Sequence, residues 1–170
     1  GLNNLHPLFH VFPPLANLGW LEATHGNFRF YHDGVTPSVA KLVEAIDRER
    51  MMLCQSLGIP TLSVIEWQKK FYGASGGSLP EVLRSNRSYD EIQAPGSKET
   101  RLLTEDVPMG LVPMAEIAKV AGVRTPFMDS AILLASEIMG QDYRATGRNL
   151  RAMGIENLNK EELLDRVERL

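Results

Sequence analysis

Residues 36–57 read TPSVAKLVEAIDRERMMLCQSL, and this stretch decides the fold class. Thr36 suits the position just before a helix, where its hydroxyl can accept a free backbone amide. Pro37 suits the first helical position, where a missing N–H leaves nothing unbonded. Val39, Leu42, Val43, Ile46, Leu53 and Leu57 then recur at the three- and four-residue steps of one helical face, and Gly58 and Pro60 end the run.

The same signals repeat outward from this helix. Downstream, Ser63 with Glu66 forms a capping-box pattern that predicts a helix to about Tyr72, followed by GASGGS, residues 73–78, as a flexible connection. A short helix is expected from Pro80 to about Arg87, and Ala94-Pro95-Gly96-Ser97 is a turn signal. Residues 101–113, RLLTEDVPMGLVP, show neither a helical nor a strand period and read as a charged loop pinned by its prolines.

Helices are expected again from Val112 to Ala121 with Gly122 as cap, and from Thr125-Pro126 to Gly140 with Ile132, Leu133 and Ala135 on the apolar face. Two more are expected, from about Tyr143 to Met153, and from Asn159, paired with Glu162 in a capping box, to the end. Upstream, only Asn27–Tyr31, NFRFY, alternates as a strand would. The fold class is mainly α, a helical bundle-like domain without internal repeats.

At 170 residues and 44% hydrophobic, the chain can bury the core of one domain. Its formal net charge of -3 gives no general electrostatic case for nucleic acid or an anionic membrane as partner. No apolar run approaches membrane-spanning length. The single cysteine, Cys54, lies in the apolar stripe of the 36–57 helix, where a small buried hydrophobe is the default, and a reducing, cytoplasmic setting fits it. The opening residues after Gly1 are packable at once, which sets the expectation of a part of a longer protein.

Phosphate-binding chemistry finds no support, since neither G-x-G-x-x-G after a strand nor G-x-x-x-x-G-K-[ST] occurs. Nor does a metal: His6 and His10 could share a helix face, but no glutamate completes an HExxH pattern and Pro7 interrupts the pair. All four histidines, His6, His10, His25 and His32, lie near the start of the chain. His10 is the best placed, with apolar neighbours on both sides that imply a partly desolvated imidazole. Arg124 and Asp129 bracket RTPFMD at the start of a helix. They read either as an exposed arginine with an aspartate complementing the helix dipole, or as a carboxylate clamp with an imidazole-orienting acid.

Taken together and in order, HPLFHVFPPLANLGW, FRFYHDGVTPSVAKLVEAIDRER, RLLTEDVPMGLVP, GVRTPFMD and ATGRNLRAMG resemble the C-terminal domain of the octopine and nopaline (opine) dehydrogenase family, whose helical domain is like that of 6-phosphogluconate-dehydrogenase-like enzymes. The resemblance implies a substrate-side helical domain over residues 1–170 of an enzyme that reductively condenses an amino acid with an α-keto acid. It further implies NADH or NADPH bound mainly by an N-terminal Rossmann domain not contained in this chain, so that the chain alone should lack dehydrogenase activity. The active site would lie between that partner domain and this one, and a homo-oligomer is compatible with the reading.

The family's catalytic histidine stands in an N-P-x-x-H-P frame upstream of an Asn and a Gly. HPLFHV, with Asn17 and Gly19 downstream, puts His10 in that position; His6 replaces the asparagine and Val11 the proline. The resemblance carries the family's arginine and aspartate onto Arg124, as clamp for a substrate carboxylate, and Asp129, as the acid that orients His10. On the same resemblance, His6 and Thr36 are expected beside the substrates. Two other readings stay open. One is a non-catalytic helical interaction or dimerisation module, supported by the 36–57 helix and by Leu163, Leu164, Val167 and Leu170 in NKEELLDRVERL. The other is the helical domain of a related hydroxy-acid or ketopantoate-type dehydrogenase.

Overall fold

The computed structural model describes the backbone of residues 2–168 and side chains through residue 166. Among the described residues the architecture is helical: α1 (His6–Ala16), α2 (Leu18–Thr24), α3 (Pro37–Ser56), α4 (Val64–Tyr72), α5 (Leu79–Ser85), α6 (Arg101–Thr104), α7 (Val112–Val120), α8 (Pro126–Met139), α9 (Tyr143–Thr146) and α10 (Lys160–Glu168). The NFRFY segment contributes one isolated antiparallel bridge, Arg29 to Gln93, and no strand.

α1 is the axis of the packing. It lies against α3, α6 and α8, and nearly every side chain from Pro7 to Pro14 is buried, His10 alone remaining partly open. Pro7 occupies the first turn, so it does not interrupt the helix as expected, and His6 and His10 share one face. Pro13 and Pro14 lie inside α1, where they remove the amides that would bond to the carbonyls of Phe9 and His10. Asn17 closes the helix end, its Nδ2 donating to the carbonyls of Pro13 and Gly34 at 2.8 Å each.

The 36–57 helix forms as α3, with Thr36 Oγ1 accepting the Val39 amide at 3.4 Å. Its apolar face is used inside the molecule: Val43, Ile46 and Leu53 are fully buried, and Leu53 and Leu57 join Ala118 in a second cluster that Leu164 of α10 covers. The interaction-module reading therefore loses this face, and the side chain of Val167 and all of Leu170 lie outside the described residues. Cys54 is buried, as expected.

α3 also buries charge. Asp47 accepts from Arg50 Nε at 2.9 Å and from the Val64 amide at 2.8 Å, while Arg50 donates on to Leu62 O and Thr61 Oγ1, so one ion pair pins the connection into α4. Between these two residues in sequence, Glu49 caps a different helix. Its Oε1 and Oε2 accept the Phe127 and Met128 amides of α8 at 2.7 and 2.9 Å. Thr125, expected as the cap of α8, makes no side-chain cap bond because this carboxylate already holds the free amides.

The expected capping boxes at Ser63–Glu66 and Asn159–Glu162 both form. GASGGS is held more firmly than a flexible connection, with Gly77 and Ser78 amides donating to Glu81. Leu133, expected on the apolar face of α8, is 62% exposed, while Ile132 and Ala135 are buried. The helix expected from Tyr143 to Met153 stops at Thr146. Gly147 passes so close to the Pro108 backbone that a Cβ there would meet its carbonyl oxygen at 2.7 Å, and Arg148 N donates to that oxygen. No helix among the described residues is long and apolar enough to cross a membrane.

The largest departure concerns residues 101–113. Instead of a loop, this stretch is α6, a break at Glu105, then a helical run that starts at Asp106, passes through a π turn at Val107–Leu111 and continues as α7. Pro108 sits in the first turn of this run, where it fits a helix, Pro113 lies within the run just after the π turn, and the π turn erases the period by which a helix is recognised.

Candidate active site

His10 faces out of α1 toward the start of that helical run. Its Nδ1 lies 2.9 Å from Asp106 Oδ2, and each side chain keeps about a fifth of its surface in water (19% and 20%). Asp106 reaches it because the π turn packs against the first turn of α1: a Cβ on Gly110 would stand 2.3 Å from Pro7 Cγ. Placement at the N-terminal end of the run that becomes α7 also suits a carboxylate, since free amides there favour negative charge. A carboxylate can only accept, so Nδ1 carries the proton and the neutral ring keeps its lone pair on Nε2. That tautomer follows from the hydrogen-bond network.

The hydroxyl of Tyr31 stands 3.3 Å from Nε2. Tyr31 is buried, edge-on to Phe9 and Phe30 and stacked on Tyr89 with ring centres 4.1 Å apart. Tyr89 is held in turn by buried Gln68, whose Nε2 donates to the Tyr89 hydroxyl at 2.8 Å, and Asn86 Nδ2 donates to Gln68 Oε1 at 3.1 Å. Burial first, then the neighbouring Tyr89, Tyr72 and Asp106, pushes the Tyr31 phenol well above its ordinary range, so it stays protonated at neutral pH.

Two groups flank the pair. The exposed ring of His6 lies 5.1 Å from that of His10. Arg101 is largely exposed, its Nε donating to Glu105 at 2.6 Å; that bond first, then the charges of Glu105 and Asp106, raises the guanidinium above its ordinary value. Both lie at the rim that carries Asp106.

Asp129 does not meet His10. It forms an ion pair with Arg144, which also donates to Glu116 at 2.9 Å, and it lines a cleft of about 450 Å³ with Lys119, Gly122 and Arg124. The carboxylate that meets His10 is Asp106 rather than Asp129, a correction whose cause is the π turn that brings residue 106 onto α1. Arg124 is exposed and opens onto that cleft and a neighbouring one lined by Arg48, Met52 and Phe127; neither includes His10. Thr36 spends its hydroxyl as the cap of α3.

From sequence, Glu105 and Asp106 read as residues that cap or pair structurally, although a signal for Asp106 as the partner of His10 is present. Arg101 and Asp106 have the same five-residue spacing as Arg124 and Asp129. No pattern in FRFY singled out Tyr31. Among the described residues no group of three or more His, Cys, Asp or Glu side chains could hold a metal ion.

A family model described as NAD/NADP octopine/nopaline dehydrogenase, alpha-helical domain, matches residues 1–139. The chain is 34% identical over 167 residues to an opine dehydrogenase of Arthrobacter sp. (strain 1C), covering 98% of this chain and 46% of that protein. It is 31% identical over 157 residues to protein ocs of Agrobacterium tumefaciens (strain Ach5), covering 92% of this chain and 44% of that protein. Among solved structures, an octopine dehydrogenase in complex with NADH and agmatine aligns with a TM-score of 0.70 at 21% identity, over 96% of this chain and 48% of that one. At that identity the likeness is one of fold. The chain spans about half the length of the curated relatives it matches.

Proposed function

The chain belongs to the octopine/nopaline dehydrogenase family, and from that premise we propose that it is the substrate-side, catalytic helical part of an NAD(P)H-dependent enzyme that reductively condenses an amino acid with an α-keto acid. The observation that carries this reading is the pairing of His10 with Asp106: an imidazole held in one tautomer, partly desolvated, with its basic nitrogen on the far side from the carboxylate.

The chemistry needs such a group. An amino acid attacks a keto carbon only as the free amine, and the resulting carbinolamine must lose water before it can be reduced. His10 Nε2 takes the proton from the incoming ammonium and returns it to the departing hydroxyl, and Asp106 stabilises the imidazolium between those events. Both substrates carry carboxylates. Arg101, which feels the charge of Asp106, is a cation at this rim and offers the planar fork that grips a carboxylate, whereas Arg124 opens onto clefts that do not include His10. His6 borders the same face and would contact substrate from the first turn of α1.

Hydride for the final step belongs to NADH or NADPH. In this proposal the nucleotide is bound mainly by an N-terminal Rossmann domain, a reading supported by the match to a family model described as an alpha-helical domain and by the 46% of the Arthrobacter enzyme that this chain covers. A second surface, the enzyme's own Rossmann domain, would cover the rim and exclude water. A cytoplasmic setting goes with this reading, since nicotinamide cofactors and keto acids meet there.

The deciding experiment is an assay of the full-length protein against a panel of amino acids with pyruvate and other keto acids, following NAD(P)H absorbance. Oxidation that requires both an amine and a keto acid supports the proposal. Turnover with a hydroxy acid alone supports the related hydroxy-acid reading instead.

A further inference from the structure

His10 is gripped at both ring nitrogens, and only one grip is accounted for by the chemistry above. We propose that the Tyr31 hydroxyl is a positioning group for His10, donating to the neutral ring at Nε2 and turning to accept from that nitrogen once it is protonated. The inference rests on the reading of His10 as the proton carrier.

Geometry supplies the first argument. Asp106 fixes the proton on Nδ1, which leaves Nε2 with a lone pair and no proton, so the hydroxyl at 3.3 Å must be the donor in the resting state. A hydroxyl carries lone pairs as well, so the same oxygen serves the imidazolium without moving. The bond is long, and an incoming amine can displace it at small cost.

The setting of the phenol supplies the second. Tyr31 is wedged between Phe9 and Phe30 and laid on Tyr89, which buried Gln68 and Asn86 anchor from below. A packing residue would need none of this to end in a polar atom beside Nε2. Because the phenol stays protonated, it is a donor throughout the working pH range.

The sign of the effect follows. A hydrogen bond to an ionised partner is roughly twice as strong as a neutral one, so losing the hydroxyl penalises the imidazolium more than the neutral ring. The other groups facing His10 remain in place: Asp106 at Nδ1, His6 at 5.1 Å, Arg101 and Glu105 beyond Asp106, and the Tyr89 and Tyr72 phenols behind Tyr31.

The test is Tyr31→Phe in the full-length enzyme, a change that keeps the ring on Tyr89. Turnover is expected to fall at least several-fold, and the acid limb of kcat/KM to move to lower pH by roughly half a unit or more, with nucleotide binding unchanged. Nitrogen-15 spectra of the histidine rings give a readout independent of activity. In the unsubstituted enzyme above the limb, His10 must show Nδ1 protonated and Nε2 bare but hydrogen-bonded, and Tyr31→Phe must remove that hydrogen-bond signature. An Nε2-protonated neutral ring overturns the proposal without any variant, and so does an unmoved pH profile or an unchanged Nε2 resonance in Tyr31→Phe. The functional reading fails separately: near-normal turnover in His10→Ala removes His10 from the chemistry, even where the spectra still place Tyr31 on Nε2.

Discussion

His10 and Asp106, 96 positions apart in the chain, meet through Nδ1 and Oδ2 at 2.9 Å. A helix–helix contact alone would not make them meet. It takes the break at Glu105, the π turn behind it and a glycine where that turn presses on Pro7.

Removing the imidazole tests the reading most directly. In the full-length enzyme, His10→Ala should lower kcat by about 10²–10⁴, the usual worth of a positioned acid–base group, while nucleotide binding measured by fluorescence is unchanged. Near-normal turnover would take His10 out of the mechanism.

The two aspartates separate cleanly. Asp106→Asn keeps the shape but no longer enforces the tautomer, and kcat should fall by about 10³–10⁴, as expected where an orienting carboxylate becomes an amide. Asp129→Asn loses a partly exposed ion pair with Arg144, and its effect on kcat should stay within about fivefold, or ~1 kcal/mol. The opposite ranking would restore Asp129 to the site.

A parallel contrast holds for the arginines. Arg101→Lys keeps the charge but loses the planar fork, so the KM of at least one carboxylate substrate should rise about tenfold or more, in line with the loss of one charge-assisted hydrogen bond. Arg124→Lys should leave both KM values unchanged, since Arg124 opens onto clefts that exclude His10. Equal effects from the two changes would mean that the clamp lies elsewhere.

Glu49 gives a pH prediction. Burial pushes its carboxyl above the ordinary value of 4.5, against the pull of the two α8 amides it accepts. As pH rises the unfolded chain therefore ionises first. The contribution of this group is fully present below 4.5 and is lost as pH climbs through the higher folded value. Glu49→Gln leaves one amide without its acceptor and should cost ~1–3 kcal/mol at pH 4. Because glutamine does not titrate, that deficit should shrink by pH 7. Urea midpoints at the two pH values check it, and a deficit that grows with pH would reverse the assignment.

Gly110→Ala places a methyl where Pro7 already stands, a contact that only backbone movement relieves. Stability should drop by ~1–3 kcal/mol, and kcat should fall further than KM rises because His10 and Asp106 are pushed apart. A variant equal to the parent in both would show that the π turn has room to spare.

Much of this fold could be read in advance because its helices announce themselves locally. Thr36-Pro37, Ser63 with Glu66, and Asn159 with Glu162 are signals contained within a few residues, and each forms as expected. The failures share another origin. α8 starts at Pro126 as expected, but its free amides are held by a carboxylate borrowed from α3 instead of by Thr125, and α9 ends where Gly147 runs into Pro108; both features are set by chain distant in sequence. The site suffered most from this. His10 could be found by its frame, but Arg101/Asp106 and Arg124/Asp129 offer the same residues at the same spacing, and only packing decides which pair faces α1.

The π turn has an angular consequence. It amounts to one residue more than the run from Asp106 to Val120 would need as an even helix. Each α-helical residue advances by about 100°. Deleting one residue between Val107 and Leu111 would therefore leave a smoother helix and swing Asp106 around its axis, away from α1. The segment would be better formed as a helix and would lose the contact between Asp106 and His10, so the irregularity works as a phase adjustment between two elements whose own periods do not bring these side chains together.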